Sequence, residues 1–195
     1  MTYPRLLAAT AAALLTLACA PSSSVTAPTT AGPAAPAAIF RVTSSAGSDG
    51  GALPMEFTCD GAGVSPPLQW EGAPSSTREF AVLMTTLPGD GTTKWNWVLY
   101  GIPSTVSSLA RGAVGVGTQG YGSDGPSPGY QPPCSQGPGA KAYTFTVVAL
   151  SAPPTLPAGR ITGAVLTTAI APVTAASSGL TMSYTRPLSS LQELP

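Results

Sequence analysis

The sequence predicts a mostly β domain, a β-sandwich with one short C-terminal helix. Three observations predict it. Proline and glycine number 22 each among 195 residues, which favours turns and short strands over long helices. A succession of short stretches either alternates apolar and polar residues or runs apolar between loop signals. Only one segment, Thr162 to Ile170, has helical spacing. Many strands and one helix bury a core best by packing sheet on sheet.

The elements follow in order. Ile39-Phe40-Arg41-Val42-Thr43 alternates as a strand, and Leu68-Gln69-Trp70 is a short strand after a turn. Glu79-Phe80-Ala81-Val82-Leu83-Met84 is a mostly apolar run bounded by loops, which suits a buried strand. Trp95-Asn96-Trp97-Val98-Leu99-Tyr100 is aromatic and β-branched. Tyr143 to Leu150 is the clearest strand, and Leu180 to Arg186 alternates as the last. In the helical segment Val165, Leu166 and Ile170 share a face, and Pro172 ends it. Between Gly112 and Gly139 lies a loop dense in Gly, Pro and Ser. Loops of that length inside compact domains are usually functional or stapled.

The amino terminus reads as an export signal. Arg5 supplies a positive start and Leu6 to Leu17 an apolar core too short to span a bilayer. Leu15-Thr16-Leu17-Ala18-Cys19 resembles a lipobox, with Thr16 where leucine is usual, so residues 1–19 are expected to end at a lipidated Cys19. Ala18-Cys19-Ala20 also meets the small-x-small rule of ordinary signal peptidase, although Pro21 would follow the cut. An N-terminal helix of the fold is the third reading. Residues 20–38, rich in Pro, Ala, Ser and Thr, cannot bury a core and read as a flexible tether. The folded domain is expected over 39–187, with a tail over 188–195. The expected location is therefore the cell envelope, lipid-anchored, with a secreted or periplasmic protein as the alternative.

Three cysteines are present. If Cys19 is lipidated, Cys59 and Cys134 remain as a pair, and an exported chain meets an oxidising compartment. A disulfide is the natural reading, and two separate buried thiols are the alternative. The bond would close a loop of about 75 residues, worth about 4 kcal/mol in the chain-entropy view.

Several function classes are excluded or weakened. Charged residues make up only 8% of the chain, against about 25% in ordinary soluble domains. Once Arg5 leaves with the signal, seven basic side chains face eight acidic ones. That balance attracts neither nucleic acid nor an acidic membrane surface, so membrane contact is expected through the lipid anchor alone. There is no histidine, which removes the commonest general base and the commonest metal ligand together. No metal site and no cofactor are expected. Gly115-Val116-Gly117-Thr118-Gln119-Gly120 matches the dinucleotide fingerprint by letters only, because no convincing helix follows it. The acidic residues are scattered, and no pair stands out as an acid/base couple. Trp70, Trp95 and Trp97 read as core aromatics; Trp95 and Trp97 share a face in a regular strand, which makes one of them a candidate to line a pocket.

Phe57-Thr58-Cys59-Asp60-Gly61, running on to Ser65-Pro66-Pro67-Leu68-Gln69-Trp70, resembles the phosphatidylethanolamine-binding protein family, and within it the bacterial branch often called Raf-kinase-inhibitor-like. Gly72-Ala73-Pro74 with Phe80 to Met84, Trp97-Val98-Leu99-Tyr100-Gly101-Ile102-Pro103, Pro133-Cys134 with Gly137 and Gly139, Tyr143 to Leu150, and Ala169 to Arg186 extend the resemblance over nearly the whole folded part. It implies a β-sandwich with a small anion-accepting pocket at one end. It also implies ligand-binding or inhibitor proteins that act by docking.

The departures from the family pattern fall on that pocket. Relatives carry Asp-Asp-Pro-Asp-Ala-Pro where this chain has Thr85-Thr86-Leu87-Pro88-Gly89-Asp90. They carry histidine where this chain has Asn96, and His-Arg where it has Lys141 and Ala142 before Tyr143. The candidate pocket residues are thus Thr85, Thr86, Pro88, Asp90, Asn96, Trp97, Lys141 and Tyr143. Neutral hydrogen-bonding groups and one lysine replace the charge-assisted set. The first expectation is a non-enzymatic, envelope-tethered binding or inhibitory module with a degenerate anion pocket, its partner an unidentified protein or a small anionic or polar ligand. The second is a small-molecule or lipid-headgroup carrier using a remodelled pocket around Asn96, Lys141, Trp95 and Trp97. An enzyme is the weakest reading, since no nucleophile, base and orienting group can be assembled without histidine.

Overall fold

A computed structural model describes residues 38–187. The strands are β1 (Arg41–Thr43), β2 (Leu68–Glu71), β3 (Glu79–Thr86), β4 (Lys94–Pro103), β5 (Ser108–Leu109), β6 (Thr118–Gln119), β7 (Ala140–Leu150) and β8 (Thr174–Thr185). The helix α1 (Gly163–Ile170) lies between β7 and β8. One sheet has the order β1-β2-β5 and the other β6-β4-β3-β7-β8, all paired antiparallel. The expected sandwich is present. Cys19, the signal and most of the tether lie outside the described residues, as does the 188–195 tail.

The main core fills the space between the sheets. Val42, Leu68 and Trp70 of the small sheet meet Phe80, Val82, Met84, Trp97, Leu99, Phe145, Val147, Leu180 and Met182 of the large one. Trp70 sets its ring edge-on to Phe80, with centroids 5.3 Å apart, a favourable aromatic geometry. The outer face of the large sheet is covered as well, by Leu166 and Ile170 of α1 together with Ile161. This explains why β3 reads as an unbroken apolar run: Phe80, Val82 and Met84 serve one core, Ala81 and Leu83 the other. The helix starts at Thr162, whose Oγ1 accepts from the Val165 amide at 3.3 Å, a normal N-cap. Leu166 and Ile170 are buried, and Val165 packs at the edge of the same cluster. At the helix start Gly163 is needed for space: a Cβ there would lie 1.9 Å from Cγ of Trp95.

The expected strands are all present, with ends displaced by up to several residues. The two-residue strands β5 and β6 were not legible, because pairs that short carry no periodicity. The glycine-rich stretch 115–120 contains β6, which pairs Thr118 and Gln119 with Tyr100 and Leu99. It opens no helix, so the dinucleotide fingerprint is a chance match.

Candidate functional site

At one end of the large sheet, three strands present a row of side chains. Thr86 on β3 pairs with Lys94 on β4 and with Tyr143 on β7. Their common face continues the row Met84, Trp97 and Phe145 one step further inside. Lys141 lies two residues before Tyr143 and therefore on the same face.

Asn96 joins this row through a β-bulge. Met84 pairs with Trp97 and Thr85 with Trp95, so Asn96 is an extra residue with no partner on β3. Bulges of this kind re-aim a side chain and recur at the rims of sites. Two consequences follow. Asn96 turns towards Thr86 and Tyr143. Trp95 is thrown to the opposite face, where it packs against α1 beside the second core. The expectation that Trp95 and Trp97 share a face is therefore corrected: the inserted residue breaks the period of two between them.

The backbone on the outer side of the bulge is held by the long loop. The Gln131 amide donates to the Asn96 carbonyl (2.7 Å), and Asn96 Nδ2 donates back to the Gln131 carbonyl (3.2 Å). The Ser123 amide donates to the Trp95 carbonyl (2.8 Å). Gln131 is itself enclosed: a Cβ at Gly122 or Gly125 would lie 2.2 Å from its side-chain amide. Cys59 and Cys134 form a disulfide, with Cα atoms 5.3 Å apart, tying the end of the same loop to the Cys59 segment. The long loop is stapled, as its length and cysteine suggested.

These elements enclose a cavity of about 320 Å³. Of the residues expected there, Thr86, Pro88, Asp90, Asn96, Lys141 and Tyr143 line it. Thr85 and Trp97 do not. Thr85 belongs to the opposite face of β3, in line with Trp95 and Thr144. Trp97 is fully buried in the main core, where its Nε1 donates to Gln119 Oε1 (2.9 Å) and its ring meets Tyr130 edge-on. The cavity also takes in Lys94, Asp124, Cys134 and the Ser135-Gln136-Gly137 turn, which sequence reasoning missed. Lys94 was legible in principle, as the residue two before the bulge; Asp124 was not, because only the folding of the long loop brings it there.

The electrostatics of the cavity are balanced. Lys94 Nζ and Asp124 Oδ1 form an exposed ion pair at 3.0 Å, which contributes little to stability. Asp90 accepts from the Thr92 amide (2.9 Å) and Lys141 Nζ donates weakly to the Pro138 carbonyl (3.4 Å). Burial pushes the Tyr143 phenol above its ordinary range, with the nearby Tyr184 adding to it, so it is a neutral hydroxyl at physiological pH. The lining is unusual in one respect. Asn96 is 8% exposed and its Oδ1 is buried with no hydrogen-bond partner among the described residues. An acceptor left so costs about 1–3 kcal/mol, and most buried polar atoms avoid it.

A larger cavity, about 590 Å³, runs along β1 and β8. Its walls satisfy one another: the Val42 amide donates to Ser178 Oγ and the Thr181 amide to Asp49 Oδ1. It contains none of the residues singled out from the sequence, and its size alone assigns it no role. No cluster of three metal-ligating side chains occurs among the described residues.

The model of the family described as phosphatidylethanolamine-binding protein matches residues 43–185. The chain belongs to that family. A UPF0098 protein of Chlamydia muridarum is 36% identical over 119 residues, covering 57% of this chain and 76% of its own. A Mycobacterium tuberculosis protein named "Putative lipoprotein LppC" is 33% identical over 127 residues, covering 63% of each chain. Among solved structures, E. coli YbcL, described as a new member of the mammalian PEBP family, superposes with a TM-score of 0.69 at 26% identity, over 76% of this chain and 99% of its own. The strand-end cavity is lined by Thr86, Pro88, Asp90, Asn96 and Lys141, which lie at the three places where the resemblance implied a departure from the family pattern. Among the described residues no helix is long and apolar enough to cross a membrane.

Proposed function

We propose that this protein is a non-enzymatic binding module of the phosphatidylethanolamine-binding family, held at the cell envelope by a lipid on Cys19, and that its working site is the remodelled strand-end cavity. The observation that carries the reading is the cavity itself. About 320 Å³ is within the range of small-ligand pockets. Its lining offers hydroxyl, amide and paired charges, but no group placed as a nucleophile beside a base. The envelope assignment rests on the sequence before residue 20 and on the relative named a lipoprotein.

Two measurements test this. In detergent phase partitioning, wild type enters the detergent phase and Cys19→Ala stays aqueous; two aqueous proteins refute the anchor. Native mass spectrometry of protein purified from its own envelope, alongside a pull-down from envelope extract, asks what is bound. A small-molecule adduct supports the cavity reading. A protein partner retained by cavity variants shifts the function to docking.

A further inference from the structure

Resting on the reading of the cavity as a ligand site, we infer the chemistry of what it takes: a small molecule that leads with a hydrogen-bond donor, an ammonium or carboxamide head, received by Asn96 Oδ1, rather than an acceptor-only anion. The orientation of Asn96 decides this. An amide can be turned either way, but here one half is dictated by its partner. The Gln131 carbonyl can only accept, and it lies 3.2 Å from the Asn96 amide; Nδ2 must face it, because an oxygen there would meet another oxygen. The half of Asn96 left for the cavity is the acceptor, Oδ1, which has no donor among the described residues.

The surroundings agree with a donor and oppose an anion. Asp90 and Asp124 add carboxylate oxygens to the lining. Of the two lysines, Lys94 is already paired with Asp124, which leaves Lys141 to meet an anion. With Lys94 and Asp124 neutralising each other, an acceptor-only guest would face Asn96 Oδ1 and the Asp90 carboxylate with one lysine, Lys141, in support. A donor guest would satisfy Oδ1 and find acceptors around it. Oδ1 is itself buried, so the guest must displace lining side chains to reach it. Two side chains of the lining are weakly held: Gln136 is exposed and reaches the Cys134 carbonyl only at 3.5 Å, and Lys141 reaches the Pro138 carbonyl at 3.4 Å.

The test is an amide-resonance titration of the full chain with four probes at matched ionic strength. Methylammonium and acetamide carry N–H donors; tetramethylammonium has the charge without the donor; sulfate only accepts. The expected result is saturable shifts at Asn96, Gln131 and Tyr143 with methylammonium or acetamide and none with the other two. Asn96→Ala should weaken the effect about tenfold, as expected for one hydrogen bond. If that variant does not fold, the wild-type series still decides. Shifts with sulfate but not with the donors overturn the inference while leaving a ligand cavity. Shifts with tetramethylammonium equal to those with methylammonium show that charge alone is read and also overturn it. Silence from all four shows that Asn96 Oδ1 serves only the fold; the binding-module reading then stands or falls on the mass-spectrometric and pull-down results.

Discussion

Asp60 and Arg186, 126 residues apart, form a buried ion pair in which Nε contacts Oδ1 at 2.9 Å and Oδ2 at 3.1 Å, while the Tyr184 hydroxyl donates to Oδ2 at 2.8 Å. The two side chains are 7% and 9% exposed. Asp60 follows Cys59 and Arg186 follows β8, so the pair ties the end of the last strand to the disulfide segment. The Cys-Asp-Gly string that marked the family is thus structural here. Removing one partner of such a pair leaves an uncompensated buried charge. Asp60→Asn is expected to lower stability by about 3–5 kcal/mol in urea unfolding. Replacing both partners with leucine should cost less than that single change; an equal or larger loss would show that the pair itself, and not the stranded charge, supplies the stability.

The disulfide is the second fastening. The Cys59→Ala, Cys134→Ala double variant should lose about 2–5 kcal/mol. Amide exchange should rise first in the stretch from Gln131 to Gly139, since Cys134 and the Pro133 carbonyl, which accepts from the Cys59 amide at 3.0 Å, hold that stretch to the domain. Exchange that rises uniformly instead would place the bond's effect in the unfolded chain alone.

Gly163 reverses an ordinary rule. In a helix, alanine is favoured over glycine by about 1 kcal/mol. Here the new methyl would fall on the Trp95 ring, and overpacking of that kind costs about 1–3 kcal/mol. Gly163→Ala is expected to be destabilising by thermal or urea unfolding. A more stable variant would mean that Trp95 swings aside without loss.

Alkaline pH should unfold the protein through its buried phenols. Burial raises the Tyr130 and Tyr143 pKa above the usual tyrosine range, each with a second phenol nearby adding to the effect. The native state therefore holds these protons more tightly than the unfolded chain, whose tyrosines release them near pH 10. The stabilisation is complete below about pH 10 and is lost as pH rises beyond it. With no histidine in the chain, stability should be flat between about pH 6 and 9. Urea unfolding from pH 6 to 11 checks the shape, and Tyr143→Phe should make the alkaline fall shallower. A slope unchanged in that variant would assign the fall to other groups.

The amino-acid sequence by itself determined the class of fold and most of its strands, because burial imposes a period of two on chains such as Tyr143 to Leu150 and two-sided burial imposes an apolar run on Phe80 to Met84. It determined the helix too, through the spacing that puts Val165, Leu166 and Ile170 on one face; its cap at Thr162 came from the structure. It brought six of the cavity residues into view through the family resemblance: Thr86, Pro88, Asp90, Asn96 and Lys141 where the chain departs from the pattern, and Tyr143 beside such a departure. Local pattern carries no information on where one extra residue is accommodated between strands. Only the tertiary structure decided that Asn96 is the bulged residue, that Trp95 is consequently thrown to the face on which α1 packs, and that Trp97 belongs to the core. The same holds for Asp124 and the Gln136 turn, which meet Lys94 at the cavity because a long loop is pinned by Cys134 and by Gln131 against the bulge. Pairing between distant segments fixes such positions, and its energy resides in contacts that no stretch of the chain makes alone.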